Sequence, residues 1–308
     1  MTDRGALTLA LAGAVITGSG STLMHLAGSA PATAAFYRSL FALPVLAVLA
    51  ARSRVPSPPL PLRPAVLAGA FLAVDLLLWQ KSVLTLGAGL STVVQNTQVV
   101  YVAGAGWLLF GERVPARLLR FLPVLVAGVA VIAFGAPRSA GPVGSAPAEG
   151  TALALVSALA YAGFLVVLRG RLSDPAVRAR ALLVVTGSTA AVSAAVGAAT
   201  AGLDLTPGWV PAGWLALLAL TSQVLGWTVL MKAIARIGSL RAAVVLLVQP
   251  VAALGWAGAV LGERPSGWQA AGLALVLVAV AAMSVPGGGQ TGRPPTMLAR
   301  SITRTEGQ

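Results

Sequence analysis

Residues 81–113 read KSVLTLGAGLSTVVQNTQVVYVAGAGWLLFGER, and residues 232–264 read KAIARIGSLRAAVVLLVQPVAALGWAGAVLGER. A shift of 151 positions without a gap lays Lys81 on Lys232, Gly87 on Gly238, Gln98 on Gln249, and Gly111-Glu112-Arg113 on Gly262-Glu263-Arg264. Only 9% of the 308 residues are charged, so two lysines and two Gly-Glu-Arg triplets at one offset mark an internal duplication. Each copy is an apolar run of helical length that ends in charge. The chain is read accordingly as two copies of one unit.

Composition says where such a unit lives. Hydrophobic residues make up 57% of the chain and the mean hydropathy is +0.88, whereas soluble domains carry about 25% charged residues. The net charge of +13 does not point to nucleic acid, because the basic residues sit in short gaps between apolar runs with no interleaved aromatic patch. The preference of cytoplasmic loops for Lys and Arg accounts for them. There is no Cys, which excludes disulfides, thiolate metal sites and Cys nucleophiles, and a single His leaves too little for a metal site. No HExxH, Gly-x-x-x-x-Gly-Lys-Ser/Thr or Gly-x-Ser-x-Gly motif is present. An enzyme is not expected, no cofactor is expected, and any transport has to run on an ion or substrate gradient.

A membrane span needs about 20 mainly apolar residues. Ten segments qualify: 6–27, 32–51, 64–84, 88–110, 117–134, 149–168, 177–200, 209–231, 238–261 and 266–284. Their length and lack of alternation exclude spanning strands. Pro31, the cluster Pro56 to Pro61, Pro115, Pro175, Pro207 and Pro265 lie at or near segment ends, where a missing N–H costs least. The opening MTDRGALTLALAGAVITGSG reads as the first of these helices and not as a cleaved signal, since Asp3 and Arg4 cancel and further spans follow. The turn-rich stretch GAPRSAGPVGSAPAEG, 135–150, separates the halves.

With the N-terminus inside, 17 of the 21 Lys and Arg residues fall on the inner side, leaving Arg38, Lys81, Arg138 and Arg264 on or near the other. Both termini are therefore expected in the cytoplasm. Five spans per half is an odd number, so the second half is expected upside down relative to the first, as in secondary transporters whose substrate sits near the midplane between inverted repeats. The expected organisation is an all-α membrane protein of ten helices in two inverted five-helix repeats. Residues 1–134 form the first repeat, 135–148 an external linker, 149–284 the second repeat and 285–308 a disordered cytoplasmic tail.

A five-helix half that closes on an apolar helix, Gly-Glu-Arg and one more helix, present twice, resembles the EamA family of the drug/metabolite transporter superfamily. Leu247-Val248-Gln249-Pro250-Val251 with Leu261-Gly262-Glu263-Arg264 is similar to that family's second repeat, and Phe36-Tyr37-Arg38-Ser39-Leu40-Phe41-Ala42 to the arginine-bearing start of its second helix. The resemblance covers residues 6–284 and implies a ten-helix inner-membrane carrier that exports small metabolites such as amino acids. One departure stands out: where the first repeat of the family often carries Pro, this chain has Gln95-Asn96-Thr97-Gln98.

Asp75 is the only carboxylate well inside a span, where an unpaired charge costs about 2.5–3.5 kcal/mol on insertion scales. Arg38 and Asp75 lie about 9 and 13 Å below the outer surface at 1.5 Å per residue. Two readings stand: a structural ion pair between the second and third helices, or a cavity-facing Asp75 that binds a substrate amine or carries a proton, with Arg38 as partner or carboxylate ligand. The amides Gln95, Asn96, Gln98, Gln223 and Gln249 either hold helices together or line the site, and Gln98 and Gln249 are the symmetric pair. Trp79, Tyr161 and Trp227 are cavity-lining candidates beside the interface anchors Trp209 and Trp214. Glu112, Glu263 and His25 are read as structural. The leading reading is a carrier exporting small polar metabolites, with proton exchange through Asp75 as one coupling. The alternative is a passive channel or non-transporting scaffold. Expected partners are a small-molecule substrate and the lipid bilayer, without nucleic acid, in a monomer or homodimer.

Overall fold

The computed structural model describes residues 3–52, 59–134, 146–169, 178–226, 229 and 239–284. Among them the chain is helical throughout, with no strand. The helices are α1 (Asp3–Gly18), α2 (Gly20–Ala27), α3 (Pro31–Ala51), α4 (Leu62–Leu86), α5 (Ala88–Gln95), α6 (Gln98–Phe110), α7 (Ala116–Phe134), α8 (Pro147–Leu168), α9 (Arg178–Ala199) and α10 (Trp209–Leu218). A π-helical segment, Ala219–Gly226, continues α10, and α11 (Ser239–Leu261) and α12 (Gly267–Ser284) follow. Seven stretches are long and apolar enough to cross a membrane, and Val245–Leu261 and Gly267–Met283 are shorter apolar helices. Most of the linker, 135–145, and the tail, 285–308, lie outside the described residues.

Two of the expected helices are broken, each by side chains that compete for backbone acceptors. Between α5 and α6, the Asn96 side-chain amide donates to Thr92 O at 2.7 Å, the acceptor that the Asn96 N–H would use in a continued helix. The N–H groups of Asn96 and Thr97 bind Val93 O and Val94 O instead, and the chain turns. Between α1 and α2, Ser19 Oγ donates to Ile16 O at 2.7 Å, and Thr17 Oγ1 donates to Gly13 O and Ala14 O. The carbonyls loosened by this break find partners on other helices: Ser222 Oγ donates to Thr17 O at 3.0 Å and Trp256 Nε1 to Val15 O at 3.1 Å. In hydrocarbon no water would satisfy them.

The strongest packing runs between the halves. Helix α4 lies on α8 and α9, α3 on α9, α7 on α12, and α1 on α11 and the π-helical segment. Laying the helices of one half onto those of the other in chain order leaves this pattern unchanged. The contact of α4 with α8 corresponds to that of α10 and the π-helical segment with α1 and α2, and α5/α6 with α8 corresponds to α11 with α1. The α3–α9 and α7–α12 pairs map onto themselves. The helices sort into two bundles, each built from both halves and joined to the other along α3 and α9 and along α5 and α11. One contains α4, α5, α6, α8 and α9, the other α1, α2, α3, α10, the π-helical segment and α11.

Helix ends gather at two poles. At the first, Thr33 Oγ1 donates to Gly202 O and accepts from Asp204 N–H, Tyr37 OH donates to Leu205 O, and Lys81 pairs with Glu149 at 3.1 Å. At the second, Glu112 pairs with Arg169. Gly111 and Gly262 end α6 and α11 in the left-handed region, with φ of 65° and 68°.

The α7–α12 crossing depends on facing glycines. A Cβ at Gly128 would lie 2.8 Å from Gly272 O, and one at Gly272 would lie 2.7 Å from Gly128 O. Replacing either with Ala is expected to cost about 1–3 kcal/mol through overpacking, seen as a lower unfolding midpoint in detergent. Gly104→Ala, with nothing within 4 Å of its added Cβ, serves as the neutral control.

Candidate functional site

One face of α4 carries Asp75 and, one turn on, Trp79. Asp75 is buried, at 2% exposure, and its carboxyl group is held from one side only. Ser157 Oγ donates to Oδ1 at 2.6 Å and Gln95 Nε2 donates to the same oxygen at 2.8 Å. Gln95 Nε2 also reaches Ser157 Oγ at 3.1 Å, closing a triangle. Among the described residues Oδ2 accepts nothing. Ser157 comes from the middle of α8, with Tyr161 one turn later on the same face, and Gln95 is the last residue of α5 before the break. The break thus leaves Gln95 at a helix end, where its side chain turns to Asp75.

Arg38 belongs to the opposite bundle. Its Nε donates to Gln223 Oε1 at 2.7 Å, and its guanidinium lies over the Trp79 ring at 5.9 Å from the centroid, within cation–π range. Gln223 sits in the π-helical segment, a geometry common at functional sites because it displaces side chains from the regular helical register. The terminal nitrogens of Arg38 bond no described residue. Arg38 and Asp75 are not in ion-pair contact, so the direct pair weighed from the sequence is absent. Each charge is held by neutral groups of its own bundle, with the indole of Trp79 between the bundles.

Of the other candidates, Tyr161 shares the Ser157 face of α8 and lies near enough to Asp75 and Arg38 to interact electrostatically with both, while the rest stand apart from this cluster. Asn96 spends its amide on its own helix. Gln98 and Gln249 are half-buried and form no hydrogen bond among the described residues, while the Gln249 carbonyl lies where a Cβ at Gly18 would meet it at 2.8 Å. Tyr161 stacks obliquely on Phe164 at 5.4 Å. Trp227 lies outside the described residues. Ser157 carried no sequence signal beyond its spacing of four from Tyr161. Outside the bilayer segments, the Glu112 hydrogen bond raises the pKa of Arg169 above its ordinary value.

The family model described as the EamA-like transporter family matches residues 4–134 and again 148–285. The chain belongs to the EamA-like transporter family. Its double match agrees with the duplicated stretch and, with the long apolar helices, makes this EamA member a multi-pass membrane protein of a transporter family. A solved crystal structure covers 90% of this chain and 95% of its own at 19% identity, with a TM-score of 0.58. That is a likeness of fold. No curated protein matches the chain.

The triangle around Asp75 has a measurable signature. Ser157→Ala removes one donor to a buried carboxyl group and is expected to cost about 1–3 kcal/mol. In the Asp75→Asn background the same change should cost clearly less, a coupling that a double-mutant cycle of unfolding midpoints reads directly.

Proposed function

We propose that this protein is a secondary transporter of the cell membrane that exports small polar metabolites, amino acids or related zwitterions, by alternating access. In this reading ten spans form two inverted five-helix repeats, with both termini in the cytoplasm. The observation that carries it is the pair of unsatisfied charged edges, Oδ2 of Asp75 and the terminal nitrogens of Arg38, on opposite bundles within the membrane. Ionisable side chains at such depth are expensive and mark substrate or ion paths. A zwitterion supplies what both edges lack, an ammonium for Asp75 and a carboxylate for Arg38, whose fork geometry suits bidentate binding.

Trp79 would floor such a site and Gln223 would fix the guanidinium plane. Because each bundle draws helices from both halves, alternation moves one bundle against the other, widening and narrowing the gap between the two charges. Asp75 is also the residue able to carry a proton in exchange, since its partners Gln95 and Ser157 are neutral. The inward bias of Lys and Arg and the gathering of helix ends at two poles support the orientation.

The test is counterflow in proteoliposomes preloaded with a mixture of unlabelled amino acids. Saturable uptake of labelled substrate is expected, and Asp75→Asn should lower it about tenfold or more, the size expected for one lost charge-assisted hydrogen bond, at unchanged protein level. Linear, unsaturable flux would identify a channel instead. Equal transport by wild type and Asp75→Asn would remove Asp75 from the site.

A further inference from the structure

The two Gly-Glu-Arg triplets share one backbone and differ in what their carboxylates hold. In each, glycine is left-handed and the Glu N–H binds the carbonyl six residues back, Gly106 O for Glu112 and Ala257 O for Glu263. Glu263 then reaches across to the other bundle. Its Oε1 accepts from Ala88 N–H at 2.7 Å and its Oε2 from Gly89 N–H at 3.1 Å, so it covers the first two free donors of α5. A carboxylate at this position satisfies orphan N–H groups and meets the positive end of the helix dipole. Here α5 is packed shut: Ala88 through Val94 are all buried.

Glu112 does the opposite. Its carboxylate stays within its own bundle, bound by Arg169 Nη2 at 2.6 Å and Nη1 at 3.2 Å, while Arg169 lies over Phe110. It folds back over Gly106, where an added Cβ would lie 2.6 Å from Oε2. The counterpart of Gly106 in the other copy is Ala257, and the counterparts of Ala88 and Gly89 are Ser239 and Leu240, the first residues of α11.

We infer that the triplets are alternating latches: Glu263 clamps the start of α5 and closes the first pole, while Glu112 is parked on Arg169 and takes the equivalent place at Ser239 and Leu240 when the second pole closes. The inference rests on the alternating-access reading above. It adds which residues hold each state, and it needs no knowledge of the substrate. In the state described here the first pole is latched and the second is not.

The chain contains no cysteine, so a single introduced thiol reports directly. Ala257 is buried in the seam, and its Cβ would lie 3.5 Å from one added at Gly89. Maleimide labelling of Ala257→Cys in lipid nanodiscs, where both faces are accessible, measures opening at the first pole. Glu263→Ala is expected to raise the labelling rate roughly tenfold, the scale of losing a charged helix cap. Arg169→Ala and Gly106→Ala, which free or expel the parked Glu112, should raise it as well, whereas Glu112→Ala should lower it. Partners in a merely structural ion pair would behave alike. Labelling unchanged by Glu263→Ala, or shifted the same way by Arg169→Ala and Glu112→Ala, overturns the inference. Variants are compared only when they elute as single species. Should Glu263→Ala fail that criterion, Glu263→Gln, which keeps one acceptor, must give the same sign with a smaller size. Since labelling needs no substrate, failed counterflow with these shifts intact would refute the transport reading alone.

Discussion

A polar group in hydrocarbon has to find its partner inside the protein, and much of this architecture answers that one demand. The carbonyls freed where α1 gives way to α2 are taken by Ser222 and Trp256. The Asp75 carboxyl group is taken by Ser157 and Gln95. The start of α5 is taken by Glu263. In each case the donor and the acceptor come from different spans, so satisfying the backbone and satisfying the fold are the same event. Apolar clusters fill the space between, such as Leu86, Leu90, Val93 and Val94 of the α4–α5 corner against Ile132 of α7 and Val276 of α12.

Interleaving follows from the same demand. Had each half packed within itself, the polar middle would sit at a flat contact between two finished domains. Instead α4 lies between α8 and α9, and α1 against α11. The contact between the two bundles is therefore one between units of mixed parentage. Across it lie the hydrogen bonds of Glu263 to Ala88 and Gly89, the Arg38 guanidinium over Trp79, and close approaches made possible by small residues, such as Gly89 beside Leu254 and Ala257. Small residues let surfaces part and rejoin without carrying long side chains through one another.

Segment boundaries were legible because composition changes sharply at membrane edges. The span read as 64–84 forms Leu62–Leu86, and that read as 149–168 forms Pro147–Leu168. The two breaks were not, because they depend on which rotamer Ser19 and Asn96 adopt, although Gly18-Ser19-Gly20 and Gln95-Asn96-Thr97 are compositionally weak points in apolar runs. Asp75 could be singled out by cost alone. Its partner Ser157 could not, being one of several serines in apolar helices. Symmetry in the alignment drew attention to Gln98 and Gln249, yet the hydrogen bonds gather around Gln95 and Gln223, which have no such pairing. Equal register across a duplication places residues at matching points of the two repeats. It does not say which helix faces them.

The placement of Asp75's partners also orders the birth of the protein. Ser157 follows it by 82 residues and Gln95 by only 20. At about 5–20 residues per second of synthesis, the serine is roughly 4–16 s late. Through that interval the nascent α4 has left the ribosome with a carboxyl group and without its main neighbour α8. Gln95, from the very next hairpin, is the group that can chaperone it from within the same chain. The amide beside the helix break is thus the first of the two partners to be synthesised.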